Sequence, residues 1–129
     1  MPMWMQIGGA LGDQLSALGR LQTQDGLWRT VLNDETSYEE TSASAGIAAA
    51  LVSYAHPLHQ NYIASAYKGI LANIDEDGTV RNVSAGTAVM HSADDYKVIS
   101  KKRVQGWGQG LTLAFLVALL QNKEIVSKI

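Results

Sequence analysis

The chain has 129 residues, of which 47% are hydrophobic and 17% charged, and its formal net charge is -2 at pH 7. This length fits one domain, and the composition excludes a disordered or collagen-like chain. A weakly acidic chain also lacks the basic footprint that nucleic-acid-binding surfaces usually carry. We therefore expect one globular domain, spanning residues 1–129, that does not bind nucleic acid.

The sequence carries no cysteine, which excludes a disulfide framework and thiol chemistry. Its first residues lack the basic segment and apolar run of a secretory signal. The longest apolar run, at 113–120, is far shorter than the roughly 18 residues of a membrane span. These observations favour a soluble, cytoplasmic protein.

The first half of the chain predicts a helix, a turn and a short strand. Leucines recur at three- and four-residue steps over 11–21, the spacing of one helical face. The segment Gln24-Asp25-Gly26 ends this helix, because glycine tolerates the left-handed conformation of tight turns. Residues 27–32 then carry Trp, Thr and Val, which favour an extended strand.

Three further helices follow. Residues 42–54 form the second, which ends near Pro57 because the residue before a proline disfavours helical geometry. Residues 58–74 form the third, and 108–121 form the fourth, with a helical tail after it. Between the third and fourth helices lies a polar loop at 84–104, and long loops in compact domains are commonly functional.

Two segments of the chain share one pattern. "QDGLWRTV" and "EDGTVRNV" each contain an acidic residue, a glycine, a short extended piece with arginine and a closing valine. A repeat of about 50 residues built from two helices and a connection is typical of stacked helical hairpins. The fold class predicted here is therefore all-α, with short extended β segments at the Asp-Gly turns.

The fourth predicted helix is apolar on nearly every side. Apart from Thr112, all residues from Leu111 to Leu120 are hydrophobic. A helix that is apolar all round must be buried all round, and a small bundle leaves each helix a solvent-facing stripe. The second helix, apolar over residues 46–52, needs such cover to a smaller extent. The missing cover would come from another subunit, giving a homo-oligomer, or from further sequence, such as a missing N-terminal portion.

No strong catalytic signature is present. "GWGQG" lacks the lysine and hydroxyl residue of phosphate-binding loops. His56 and His59 bracket Pro57 in a turn, which favours a polar interhelical loop over a metal site. Two acid pairs, Glu39-Glu40 and Asp94-Asp95, could serve as glycosidase carboxylates, but acids at helix starts more commonly favour the helix dipole. The sequence predicts no metal.

Other side chains are candidates for sugar contacts. Trp28 and Trp107 could stack on a sugar ring, although isolated tryptophans usually lie in cores. His91 could act as an acid or a hydrogen-bond donor, although a surface imidazole is the default. The segment "ETSASA" places more hydroxyl groups at a helix start than one cap requires.

Three pieces in order, "DGLWRTVLND", "YEETSASA" and "RVQGWGQG", carry a resemblance to a known group of enzymes. The chain from Leu21 to Leu120 resembles the C-terminal part of the unsaturated rhamnogalacturonyl and glucuronyl hydrolases, glycoside hydrolase families 88 and 105. This resemblance implies an (α/α)6 toroid of six helical hairpins, of which the chain would supply the C-terminal third. It also implies removal of a terminal unsaturated uronic acid from pectin- or glycosaminoglycan-derived oligosaccharides by acid-assisted hydration, without a metal or organic cofactor.

The resemblance also implies a sugar pocket at the start of the second helix, where Ser42 and Ser44 with the helix amides would hold a sugar carboxylate. The substrate-binding residues expected are Trp28, Ser42, Ser44, His91, Trp107 and Gln109.

The family's proton-donating Asp lies upstream of every matching position. The catalytic residue is therefore unknown here, and we expect a fragment that is inactive alone. The alternative is a non-catalytic helical module, structural or binding, that dimerises through its apolar helices.

Overall fold

A computed structural model describes residues 1–129 and shows a helical protein. A 3-10 turn at Pro57–His59 precedes the third helix. None of the helices combines the length and apolar character needed to cross a bilayer. The helices are α1 (Met3–Arg20), α2 (Thr41–Tyr54), α3 (Gln60–Leu71), α4 (Ala93–Tyr96), α5 (Gly106–Leu120) and α6 (Lys123–Val126).

The four predicted helices are confirmed, with shifted ends. α1 begins at Met3, well before the predicted start, because Met3 and Ile7 continue the four-residue spacing of the leucines although both side chains are exposed. The third predicted helix divides into the 3-10 turn and α3, since the ring of Pro57 fits the first turn of a helix but not its interior. α5 begins at Gly106, and the predicted helical tail is the short α6.

The strand predicted at 27–32 is wrong. The segment makes one isolated antiparallel bridge, between Arg29 and Glu39, and a second isolated bridge joins Ile74 to Val80. The pairing cannot extend because the amide of Trp28 donates to the hydroxyl of Ser44 instead of to a second strand, at 2.8 Å. The extended segments at the two Asp-Gly turns are therefore single bridges, and the all-α class is confirmed.

The predicted repeat is present in the backbone of the two Asp-Gly turns. In the first turn, the amide of Thr23 donates to the carbonyl of Leu27 at 2.8 Å, and the amide of Gly26 donates to Thr23 at 3.0 Å. Asp75 and Gly78 make the two equivalent bonds in the second turn, both at 2.9 Å. Gly26 and Gly78 have φ values of 85° and 86°, in the left-handed region. α1 with α2, and α3 with α5, thus form two copies of one hairpin.

Helices α2 and α5 pack side by side and run parallel. At the end where both begin, the amide of Thr41 donates to the carbonyl of Asn82 at 3.0 Å. Close by along the same loop, the amide of Val80 donates to Oε1 of Gln109 at 2.6 Å. At the opposite end, the side chain of Gln60 donates to the carbonyl of Ile125 at 3.1 Å. One loop therefore joins the two helix starts, and the segments that follow the two helices also meet.

The core lies between α2 and α5 and under α1 and α3. Its largest fully buried side chains include Trp28 and Phe115. The other apolar members of this continuous cluster are Leu15, Leu27, Ala45, Ala48, Leu51, Val52, Ile63, Ala66, Ile70, Leu119 and Ile125.

The expected exposed apolar surface of α5 is confirmed. Phe115 and Leu119 are buried, but Leu113 is 63% exposed and Leu120 is 77% exposed. Val117 is 40% exposed on the same helix. We call Leu113, Val117 and Leu120 the apolar face of α5. The four long helices of the chain do not enclose the apolar face, as we expected from the almost wholly apolar sequence of α5.

The turn between α2 and α3 holds a ladder of four rings. Tyr54 stacks near His56 with ring centroids 6.2 Å apart, and the centroids of His56 and His59 lie 5.3 Å apart. The ring of Tyr62 follows at 6.1 Å from His59. His59 is buried, and its Nδ1 atom has no hydrogen-bond partner. Burial lowers the pKa of His59 below its usual value, and the charge of His56 lowers it further.

We expect His59 to make the protein less stable in mild acid. The pKa of His59 in the folded state lies below its usual value of 6.5, so in mild acid the unfolded chain binds more protons than the folded one. The stability that neutral His59 contributes is therefore fully present above pH 6.5 and is lost as the pH falls through the lowered folded-state pKa. Urea denaturation across this range checks the effect. With falling pH, the stability of the His91→Asn variant should decline as in the wild-type protein. The His59→Asn variant should lack the part of this decline that His59 causes. Equal declines in the two variants would contradict the assignment.

Candidate functional site

A buried carboxylate lies where α2 begins. Glu40 is only 3% exposed, and the side chain of this residue caps the helix. Its Oε1 accepts hydrogen bonds from Ser42 Oγ at 2.8 Å and from the amide of Ser84 at 2.9 Å. Its Oε2 accepts from the amide of Ala43 at 2.6 Å. Glu40 therefore joins the start of α2 to the loop that leads toward α5.

Two of the three hydroxyl groups of "ETSASA" serve this junction, whereas Thr41 Oγ1 is buried without a hydrogen-bond partner. Ser42 Oγ donates to the Glu40 carboxylate, at 2.8 and 2.9 Å from its two oxygens. Ser44 Oγ accepts from the amide of Trp28 at 2.8 Å and donates to the carbonyl of Glu40 at 2.7 Å. The carboxylate bound at the helix start is thus the chain's own, where the sequence led us to expect a sugar carboxylate.

Two other expected sugar contacts have internal partners. Trp28 is fully buried, and its indole Nε1 donates to the carbonyl of Leu18 at 2.7 Å. The side chain of Gln109 accepts from the amide of Val80 and donates to the carbonyl of Gly78, at 2.6 and 3.0 Å. Trp28 therefore anchors α1, and Gln109 fixes the second Asp-Gly turn to α5.

Trp107 and His91 are the expected site residues that reach solvent. Trp107 is 46% exposed, and its Nε1 donates to the carbonyl of Ser84 at 3.2 Å. The edge of its ring lies against Gly86, 3.6 Å from the position a Cβ would take there. His91 lies exposed on the long loop. Trp107 and Ser42 lie at one end of the molecule, linked through Ser84, and Gln109 joins them through its bond to Val80. We call this end, where α2 and α5 begin, the helix-start end. The binding role of all six residues stays a prediction.

Lys97, which the sequence did not single out, holds the long loop. Its Nζ lies 2.5 Å from Asp34 and 2.8 Å from Asp94. Hydrogen bonds from Lys97 and Thr36 lower the pKa of Asp34 from 3.8 to about 2. Asp95 accepts from the amide of Ser92 in a capping box at the start of α4, at 3.1 Å. The second acid pair thus supports the loop, and a lone Lys in a polar loop gave no signal for this role.

Glu40 offers a direct test of the junction. Glu40→Ala should lower the free energy of unfolding by roughly 2–3 kcal/mol, because the amides of Ala43 and Ser84 lose a charged acceptor in a buried place. Glu39→Ala is the matched control, since Glu39 accepts one side-chain bond, from Thr23, and should change stability by less than about 1 kcal/mol. Urea unfolding followed by circular dichroism measures both. Equal losses of stability in the two variants would show that the buried hydrogen bonds of Glu40 do not stabilise the fold more than the single bond of Glu39.

Stacked helical hairpins define a helical-repeat architecture, and sequence comparison identifies the family that uses it here. The profile of Glycosyl Hydrolase Family 88 matches residues 2–123. The chain belongs to this family. It is also 54% identical, over 95% of its length, to the unsaturated rhamnogalacturonyl hydrolase YesR of Bacillus subtilis.

Solved structures give the same result. A possible member of glycoside hydrolase family 105 from Salmonella enterica superposes with a TM-score of 0.86 over 92% of this chain, at 30% identity. A possible member from Klebsiella pneumoniae gives 0.79 over 84%, at 31% identity. A family 88 hydrolase from Bacteroides vulgatus, with a TM-score of 0.68 and 14% identity, shares the fold over 84% of this chain. The hairpins are thus those of an (α/α)6 toroid.

The chain spans about a third of the length of these relatives. It covers 36% of the Bacillus subtilis protein and 32%, 29% and 33% of the three solved chains, in the same order. The hairpins of this chain thus correspond to about a third of the toroid in these relatives.

Proposed function

We propose that this chain is part of a glycoside hydrolase that removes a terminal unsaturated uronic acid from pectin- or glycosaminoglycan-derived oligosaccharides. The observation that carries this proposal is the 54% identity to a protein named as an unsaturated rhamnogalacturonyl hydrolase. Residues 1–129 would act as one domain, equivalent to the C-terminal third of the toroid. The proposed location is the cytoplasm, and no metal or organic cofactor is proposed.

The proposed reaction protonates the double bond of the sugar and adds water, giving a hemiketal that opens and releases the uronic acid. This chain offers no well-placed acid for the first step. Glu40 is buried as a helix cap, and Asp34 and Asp94 are paired with Lys97. The catalytic acid is therefore proposed to come from outside these 129 residues, and the chain alone is expected to be inactive.

Within the chain, the proposed roles divide by exposure. Trp107 and His91 reach solvent and are proposed to contact the sugar, Trp107 by stacking of its indole ring. The other four residues are proposed to position the pocket wall without touching the sugar, because their polar atoms hold its loops and helix starts. These residues are Trp28, Ser42, Ser44 and Gln109. In this proposal, the C-terminal third of the hydrolase supplies one wall of the sugar pocket.

The second candidate function is a non-catalytic helical module, structural or binding, that dimerises. The exposed leucines of the apolar face favour it, because an exposed apolar patch of this kind marks a protein interaction site. Either a homo-oligomer or the missing portion of the toroid would cover this face.

Enzyme activity separates the two functions. The chain is assayed alone and after mixing with the complementary two thirds of the Bacillus subtilis relative, by following loss of ultraviolet absorbance from the unsaturated uronate. The proposed function predicts activity only on mixing, and a large loss with Trp107→Ala. Arg103→Ala, at an exposed loop position, serves as control. Activity of the chain alone, or none in any mixture that forms a complex, contradicts the proposal.

A further inference from the structure

A polar and aromatic cleft lies far from the helix-start end. It has a volume of about 450 Å³ and is formed by α1 on one side and the turn between α2 and α3 on the other. Tyr54, at one edge of the cleft, is the last residue of α2. Since α2 has 14 residues, this point is roughly 20 Å from Glu40 along the helix. No residue of α5 lines the cleft, so it is separate from the apolar face.

One wall of the cleft is the ring ladder from Tyr54 to Tyr62. His56 is exposed, and the two tyrosines are half-buried. Glycines on α1 let these rings approach the helix closely. A Cβ at position 12 would lie 2.7 Å from Tyr54 Oη, and one at position 19 would overlap the ring of Tyr62. The small residues of α1 therefore keep the wall in place.

The other wall carries unpaired polar groups. Asp13, Ser16 and Arg20 recur on one face of α1 and line the cleft. All three are exposed, and neither Asp13 nor Arg20 takes part in an ion pair. Asp13 and Arg20 lie seven residues apart, which is about two helical turns, or roughly 10 Å. This spacing matches the length of a short oligosaccharide better than that of a single small anion.

The chemistry of the two walls selects the ligand class. Aromatic rings stack on the apolar faces of sugars, and a free guanidinium binds a carboxylate with two parallel hydrogen bonds. Asp13 and Ser16 supply acceptors and a donor for sugar hydroxyl groups. A metal ion fits poorly, because the cleft brings together no group of three or more side chains that could ligate one. The polar wall likewise disfavours a purely apolar ligand.

We propose that this cleft is a second binding site for uronate-containing oligosaccharides, apart from the site of hydrolysis. The exposed ring of His56 and the half-buried rings of Tyr54 and Tyr62 contact the sugar, and Arg20 binds a uronate carboxylate. Such a site would keep polysaccharide fragments at the surface of the enzyme. The enzyme context of this proposal rests on the proposed function, but binding in the cleft is measured without hydrolysis, so failure of the one is distinguishable from failure of the other.

The three histidines of the chain allow a sharp test. Saturated trigalacturonate, which has no double bond to hydrate, is titrated into the protein while the ring proton signals of the histidines are followed by NMR. His56 and His59 report on the cleft, and His91 reports on the long loop. We expect saturable shifts of His56 and His59 with His91 unchanged.

Variants then identify the groups responsible. Arg20→Gln should weaken binding about tenfold, which corresponds to about 1.4 kcal/mol. Arg103→Gln, at an exposed position outside the cleft, should leave binding unchanged. The neutral trisaccharide maltotriose should bind more weakly than trigalacturonate. Shifts of His91 alone, no shifts at millimolar ligand, or equal affinity of the Arg20→Gln and wild-type proteins would each overturn the proposal.

Discussion

Replacing Phe115 with alanine is expected to lower the free energy of unfolding by roughly 3–5 kcal/mol, the usual range for removing a buried aromatic side chain. Phe115 is fully buried in the core shared by α2 and α5. The loss combines the transfer of the ring to water with the cavity left behind, because close-packed helices can relax only in part. Urea unfolding of dilute protein, followed by circular dichroism, measures the change.

Leu113→Ala is the matched control on the same helix. Leu113 is 63% exposed, so its truncation should change the stability of the isolated chain by less than about 0.5 kcal/mol. The contrast follows from the one-sided burial of α5. If Leu113→Ala were as destabilising as Phe115→Ala in dilute solution, the apolar face would already be covered in the isolated chain.

The two turn glycines give the second large effect. Gly26→Ala should lower the free energy of unfolding by about 3 kcal/mol or more, since the new Cβ would overlap the carbonyl oxygen of Ser65 and the residue would keep a positive φ. Backbone would have to move to relieve that overlap. The midpoint of thermal unfolding provides an independent measure of the same loss.

Gly78→Ala separates the steric effect from the conformational one. Gly78 has a φ of 86°, yet no atom lies within 4 Å of the position that a Cβ would take there. Alanine at this position should therefore carry only the left-handed penalty, about 1–2 kcal/mol. Similar losses at both glycines would mean that the first turn does not pack on α3 as the structure shows.

The sequence predicted the features of the fold that depend on side-chain pattern. The regular leucines of α1 revealed its second half, and the uninterrupted apolar run of α5 revealed a face that this chain does not cover. The repeat was readable because Gly26 and Gly78 both occupy the left-handed region, where other residues are unfavourable. Family membership followed from three motifs in the right order.

Other features depend on contacts between distant residues and could not be read from pattern alone. The segment at 27–32 has strand-forming residues, but Ser44 takes the amide of Trp28, so no strand forms. Glu40 looked like one more acid at a helix start, and only the fold brings the amide of Ser84 to its carboxylate. The first half of α1 carries apolar residues at helical spacing, but only the fold shows that Met3 and Ile7 are exposed and not part of the core.

The central claim is that this family 88 chain presents an apolar face that completion of the ring would cover. Because the chain has no cysteine, a Leu113→Cys variant carries a single thiol whose reaction with a maleimide reports on that face. We predict rapid labelling of the dilute chain and strong protection after the complementary two thirds of the Bacillus subtilis relative is added. Slow labelling of the dilute chain, or unchanged labelling within a complex that has formed, would contradict the claim.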